Sequence, residues 1–135
     1  MTVDKVRVGT RVTFRKTMTV AEQAMFTGIS GNLSPIYVDA VKARAAGAPG
    51  MVAFELAVAG LATTCLGRLA GASHRIRSLR LDFPAPVPVG GTIEATAEIL
   101  AIENQRLRCR VSCLLDQYGP VVEGEAVLSP CTDQG

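Results

Sequence analysis

Residues 51–70 constrain the fold of this 135-residue chain most strongly. Their side chains are apolar nearly all round a helix, and the only charged ones are Glu55 and Arg68. A surface helix has one apolar stripe, so a helix without a polar face must be covered on most of its sides. The two charges and the many alanines and glycines argue against a membrane span. The segment therefore predicts one long buried helix.

Four stretches after this helix alternate apolar and polar residues, as strands with one buried face do. The residues predicted to face inward are Leu79, Leu81 and Phe83; Ile93, Ala95, Ala97 and Ile99; Leu107, Cys109, Val111, Cys113 and Leu115; and Val122, Ala126 and Leu128. Turn-forming residues separate the stretches, which predicts an antiparallel meander. Wrapped round the helix, this sheet gives an α+β fold. A sheet on one side only is the alternative, and it would leave apolar helix surface in water unless a second subunit covered it.

The N-terminal part predicts a short strand and two short helices. Val12 and Phe14 alternate with polar residues, as in a strand. Thr19 and Glu22 have the spacing of a capping box, which predicts a helix over residues 20–27, ended by Gly28. Asp39 can cap a second helix that extends through residue 46.

Size and composition predict a single domain over residues 1–135. Hydrophobic residues make up 48% and charged residues 19% of the chain, which favours a subunit interface. We expect a homodimer, or a heterodimer with a related subunit. The net charge of +2 and the absence of a basic run interleaved with aromatics argue against nucleic-acid binding. The charged N-terminal segment lacks the apolar core of a secretory signal, so we expect a cytoplasmic protein with no membrane association.

The cysteines indicate neither a metal site nor a disulfide. Cys65, Cys109, Cys113 and Cys131 lack paired ligand spacing, and His74 is the single histidine. We interpret the four as reduced core residues. No metal and no other cofactor is expected.

Several segments together resemble the MaoC-like dehydratase family, whose best-known members are (R)-specific enoyl-CoA hydratases with the hot-dog fold. Residues 26–39 read FTGISGNLSPIYVD, Gly50 and Met51 begin the apolar segment, and residues 79–91 and 122–128 resemble two of the family's strands. The resemblance covers nearly the whole chain. It implies a hot-dog domain that binds an acyl-CoA or an acyl-carrier-protein thioester.

The chain departs from the family where the chemistry should lie. The family motif is Ser-Gly-Asp-x-Asn-Pro-x-His-x-Asp, and its Asp and His hold and deprotonate the water that adds to the enoyl thioester. The corresponding residues here are Asn32 and Tyr37, with Ser34 in place of the motif's Asn and Pro49 in place of a His before Gly50. Asparagine cannot take a proton, and a tyrosine with the ordinary pKa of about 10 is a poor base at neutral pH. The resemblance therefore implies a hydratase frame with weak or absent hydratase chemistry.

Asn32, Tyr37 and Glu55 are the candidate catalytic residues. Tyr37 could donate a hydrogen bond to the thioester, aided by Asn32 and Ser34, or it could fill the volume of a lost histidine. Glu55 is the one acidic residue of the apolar helix, so it should be paired, protonated or beside a cavity. Several hot-dog thioesterases use a carboxylate from this helix, and a partly solvated carboxylate near the helix's positive end is the other interpretation.

The candidate substrate-binding residues are Ser34, Pro35, Gly50, Met51 and Arg75. The backbone amide of Gly50 corresponds to the family's oxyanion donor, unless this glycine serves only to turn the chain into the helix. Arg75 could hold the phosphate of a pantetheine carrier. The first hypothesis is an acyl-thioester enzyme of the MaoC-like hydratase and dehydratase type with an altered site. The alternatives are a thioesterase that uses Glu55 and a non-catalytic acyl-binding subunit of a hydratase complex.

Overall fold

The computed structural model describes residues 6–133. In chain order its elements are β1 (Arg11–Thr17), α1 (Val20–Ser30), α2 (Pro35–Val38), α3 (Ala40–Ala45), α4 (Glu55–Ala70), β2 (His74–Asp82), β3 (Thr92–Glu103), β4 (Arg106–Leu115) and β5 (Gly119–Pro130). The five strands form one antiparallel sheet, and α4 packs against all of them. The prediction of an α+β hot-dog fold with one central helix is confirmed.

The strand order is β1-β3-β4-β5-β2. The meander of β3, β4 and β5 was predicted correctly, but its proposed first strand was wrong, because β2 pairs with β5 and not with β3. The connection from β2 to β3 instead passes beside the segment before α4. There the Ala53 N–H donates to the carbonyl oxygen of Val87 at 2.7 Å, and Val52 forms a bridge with Pro88.

The core lies between α4 and the inward face of the sheet. Every predicted inward residue of β3 is fully buried, and those of β4 are buried apart from Leu115, which is half-buried. The helix contributes Val58, Leu61, Ala62, Cys65, Leu66, Leu69 and Ala70. The stretch Glu55–Ser73 has the length and hydropathy of a membrane-crossing helix, and its packing inside the sheet accounts for that composition.

The predicted dry face of β2 and the adjoining Phe83 is only partly covered within this chain, where Leu81 is half-buried and packs against the core. Leu79 and Phe83 are each 38% exposed, and Ile76 is 37% exposed. The physical reason is the position of β2 at the edge of the sheet, where it has one paired neighbour and limited contact with α4. The result is an edge strand with exposed apolar side chains among its charged ones.

Two predicted helix boundaries were wrong. The capping box of Thr19 and Glu22 is present, but α1 continues past Gly28 and ends at Gly31, which has a φ of 71°. The long helix begins at Glu55, later than predicted, because residues 51–54 are extended. The extended conformation is held by backbone hydrogen bonds to residues 87–89. Asp39 caps α3 as predicted.

Three of the four cysteines occupy the core as predicted, and the fourth does not. Cys65, Cys109 and Cys113 are buried free thiols, and burial raises the pKa of Cys109 to about 11 and that of Cys113 to about 12. Cys131 is exposed because it lies in the turn that follows β5.

Candidate active site

Tyr37 and Glu55 meet where α2 and α4 approach each other. The Tyr37 hydroxyl donates a hydrogen bond to Oε1 of Glu55 at 2.7 Å. The Tyr37 ring also stacks on Phe54, with 4.4 Å between the ring centroids. The hydrogen bond to Glu55, together with burial and the carboxylate charge, raises the pKa of Tyr37 to about 12. Tyr37 is therefore a protonated hydrogen-bond donor at neutral pH.

Glu55 is placed by the start of α4. It is the first residue of the helix and is half-buried. Phe54 occupies the N-cap position and has no capping side chain, so the positive end of the helix faces this carboxylate. Among residues 6–133, Oε2 of Glu55 accepts no hydrogen bond. One carboxylate oxygen is thus bonded to Tyr37, and the other has no hydrogen-bond partner within the described residues.

Asn32 and Ser34 shape the loop that leads to α2. Oδ1 of Asn32 accepts the Ser34 N–H at 2.9 Å, and the Asn32 N–H donates to Oγ of Ser30 at 3.1 Å. No hydrogen bond within the described residues joins either side chain to Tyr37 or Glu55. Pro35 follows as the first residue of α2, where its missing N–H is not needed.

Gly50 does not begin the helix, contrary to the prediction. It precedes the extended residues 51–54, so its amide is not one of the free amides at the helix terminus. The amide of Gly50 donates to no group among residues 6–133, and a Cβ added at Gly50 would meet nothing within 4 Å. Met51 lies half-buried beside it, with its carbonyl oxygen bonded to the Val89 N–H at 3.0 Å.

Arg75 lies away from this site within its own chain. It follows the C-terminal end of α4, and a helix of 16 residues is about 24 Å long. Its guanidinium donates to the carbonyl oxygen of Asp133 at 3.3 Å. The structure therefore brings Tyr37 and Glu55 together and leaves Arg75 near the opposite end of the helix.

Gln23 is a residue of the site that sequence reasoning missed. It is buried on α1, and its side chain bonds to the backbone of Tyr37, Val52 and Phe54. The one signal in the sequence is its position on the same helical face as Phe26. That face packs inward, since Phe26 contacts Phe54 with 4.9 Å between ring centroids.

The fold and the site together define a hot-dog domain with a hydrogen-bonded tyrosine and carboxylate at the start of its central helix. The chain belongs to the MaoC like domain family, whose sequence pattern matches residues 4–113.

Three known proteins illustrate the similarity. A 3-hydroxybutyryl-CoA dehydratase from Methylorubrum extorquens is 29% identical over 127 residues, which cover 93% of this chain and 81% of the dehydratase. The (R)-hydratase from A. caviae involved in PHA biosynthesis has a TM-score of 0.88 at 24% identity, covering 93% of this chain and 98% of that one. A chain of the ChsH1–ChsH2 complex from Mycobacterium tuberculosis has a TM-score of 0.84 at 20% identity, covering 92% of this chain and 98% of that one. The two structures share the fold of this chain.

Proposed function

We propose that this chain is an acyl-thioester lyase of the MaoC-like type, in which Glu55 supplies the acid and base chemistry. The observation that carries the proposal is the 2.7 Å hydrogen bond from Tyr37 to Oε1 of Glu55, which leaves Oε2 free. The similarity to a 3-hydroxybutyryl-CoA dehydratase supports a short enoyl-CoA or 3-hydroxyacyl-CoA as substrate.

The proposed reaction is the reversible addition of water to the enoyl double bond. Oε2 of Glu55 takes a proton from water while the water oxygen bonds to the β carbon of the enoyl thioester. The electrons of the double bond move toward the thioester carbonyl, which becomes an enolate. The protonated carboxyl group then returns the proton to the α carbon, so that the carboxylate is regenerated. Tyr37 keeps its proton throughout and holds the carboxylate in one orientation.

The enolate oxygen requires hydrogen-bond donors, and Gly50 is the candidate. Gly50 is half-buried, and its N–H bonds to no group within the described residues, which supports a role in binding a thioester carbonyl. Ser34, Pro35 and Met51 are proposed to contribute to the thioester-binding site beside Gly50. Because Gly50 precedes an extended segment, its amide acts without the support of the helix dipole that the sequence predicted.

Hydrolysis by the same carboxylate is the second candidate. The half-buried Glu55 could direct water to the thioester carbonyl carbon, and the C–S bond would break to release CoA as a thiol. The products separate the two reactions. Hydration adds the mass of one water to the intact thioester, and hydrolysis gives free CoA and a carboxylic acid.

The test is to incubate the purified protein with crotonyl-CoA and 3-hydroxybutyryl-CoA and to identify the products by mass spectrometry. The proposal predicts interconversion of these two thioesters, and its loss in Glu55→Gln. The matched control is Glu103→Gln, an exposed glutamate at the end of β3. Free CoA as the main product would favour hydrolysis. No product with either substrate or with longer acyl chains would favour a non-catalytic acyl-binding subunit.

We also propose that the chain pairs with a second subunit through β2. The exposed Ile76, Leu79 and Phe83 and the unpaired edge of this strand support a homodimer. A heterodimer with a related chain is the alternative.

A further inference from the structure

Gln23 is a buried polar residue that neither the family motif nor the proposed chemistry explains. It is 5% exposed and is the one buried residue of α1. A buried amide group whose hydrogen bonds are not made destabilises the folded protein. The hydrogen bonds of the Gln23 side chain explain why a glutamine is tolerated at this buried position.

The amide group of Gln23 joins two backbone segments. Nε2 donates to the carbonyl oxygen of Tyr37 at 2.9 Å and to that of Val52 at 2.7 Å. Oε1 accepts the Phe54 N–H at 3.2 Å. The orientation of the amide is determined, because a reversed amide would place its oxygen against two carbonyl oxygens.

These hydrogen bonds lie beside both members of the Tyr37 and Glu55 pair. One fixes the backbone of Tyr37 itself, and another fixes Phe54, the residue immediately before Glu55. One direct backbone hydrogen bond, from the Val52 N–H to the carbonyl oxygen of Ile36 at 2.9 Å, joins the same segments. Removing the Gln23 amide would leave the buried Val52 carbonyl, the half-buried Tyr37 carbonyl and the buried Phe54 N–H without this partner.

Building on the proposed role of Glu55, we propose that Gln23 is a positioning residue whose side-chain amide holds Tyr37 and Glu55 within hydrogen-bond distance. Gln23 touches neither the hydroxyl nor the carboxylate, so it acts through the backbone. The effect on catalysis is large because a displacement of about 1 Å can lower the rate about 100-fold.

The ionisation of Tyr37 tests this role without any assay of activity. The chain has two tyrosines and no tryptophan, so a Tyr118→Phe background leaves Tyr37 as the single tyrosine. Its pKa of about 12 comes first from the bond to Glu55. The absorbance of tyrosinate is followed from about pH 8 to about pH 11, because at the upper end a tyrosine with the ordinary pKa of about 10 is mostly ionised, whereas Tyr37 with a pKa of about 12 is mostly protonated. Far-UV circular dichroism of the same samples shows that the protein stays folded.

In this background, the Gln23→Met substitution is expected to lower the pKa of Tyr37 by at least about one unit relative to the protein that keeps Gln23. The control is Thr19→Ala, which removes the N-cap of the same helix and so destabilises it, but breaks none of the Gln23 side-chain contacts. It should leave the titration unchanged. If Gln23→Met does not fold, Gln23→Asn keeps an amide at this position but is one methylene too short to reach the same three backbone groups.

An unchanged Tyr37 titration in the Gln23 variant would overturn the proposal. An equal shift in Gln23→Met and Thr19→Ala would overturn it as well, because the effect would then come from loss of helix stability. Activity gives a second readout, in which kcat falls about 10-fold or more while KM changes little. If the wild-type protein converts no thioester, the proposed function fails, and the titration still decides the positioning role.

Discussion

The hydroxyl of Tyr37 lies 2.7 Å from Oε1 of Glu55, although the two residues are 18 positions apart in the sequence. In the family motif, the position of Tyr37 belongs to a histidine that acts with an aspartate. Here the same position supports a carboxylate from the central helix. In the proposed mechanism, the proton-transferring group therefore lies on a different element of the same fold.

Tyr37→Phe removes this hydrogen bond but keeps the ring that stacks on Phe54. We predict that kcat for the lyase reaction falls about 10-fold, because the Glu55 carboxylate remains but is no longer held in one orientation. The free energy of unfolding should fall by about 0.5 to 1.5 kcal/mol in urea denaturation. Tyr118→Phe is the control, since Tyr118 is 67% exposed and should change neither quantity. A Tyr37→Phe enzyme with full kcat would remove Tyr37 from the mechanism.

Glu22 makes part of the stability depend on pH. Hydrogen bonds from Thr19, together with Lys16 at 3.1 Å, lower the pKa of Glu22 from 4.5 to about 2. Because the folded-state pKa is the lower one, the stabilisation is complete above about pH 4.5 and is lost as the pH falls toward 2. Glu22→Gln should therefore be less stable than wild type at pH 7, and the difference in Tm should shrink below about pH 4.5. A difference in Tm that is the same at neutral and acidic pH would contradict this assignment.

Gly124 is required by the close packing of β2 on β5. A Cβ at this position would overlap the backbone carbonyl oxygen of Arg80. We predict that Gly124→Ala lowers the free energy of unfolding by about 1 to 3 kcal/mol, since a strand must shift to make room. Gly67→Ala is the matched control, because its Cβ would meet nothing within 4 Å on α4. That change should stabilise the protein by about 0.5 to 1 kcal/mol. Equal effects of the two substitutions would show that β2 and β5 tolerate wider spacing.

The exposed apolar side chains of β2 predict self-association. Light scattering at micromolar concentration should give twice the chain mass of 14.2 kDa. Leu79→Glu should shift the mass toward that of one chain, because it places a charge in the proposed interface. Val41→Glu on α3 is the control, at a residue that is 73% exposed. A monomeric mass for the wild-type protein would contradict the homodimer, and a heterodimer with a related chain would remain as the proposed use of β2.

The sequence predicted the central helix and the buried faces of β3 and β4. The helix is apolar nearly all round and the strands alternate apolar and polar residues, and both patterns are typical of elements that are covered by the rest of the fold. The position of β2 could not be predicted, since alternation is the same whether a strand pairs with β3 or with β5. The burial of Gln23 depends on carbonyl groups of Tyr37 and Val52, which are distant in sequence. Tyr37 and Glu55 were each recognisable as candidates, but their contact depends on the extended residues 51–54, which the apolar pattern had assigned to the helix.

We propose that Glu55, and not the motif position Asn32, transfers the proton. The most direct test of this proposal is the steady-state rate of crotonyl-CoA hydration in Glu55→Gln and in Asn32→Ala, each compared with wild type. The account predicts a loss of at least about 100-fold in Glu55→Gln, the contribution of a positioned general base, and a loss of less than about 10-fold in Asn32→Ala. A Glu55→Gln enzyme that keeps the wild-type rate, with the large loss in Asn32→Ala instead, would contradict it.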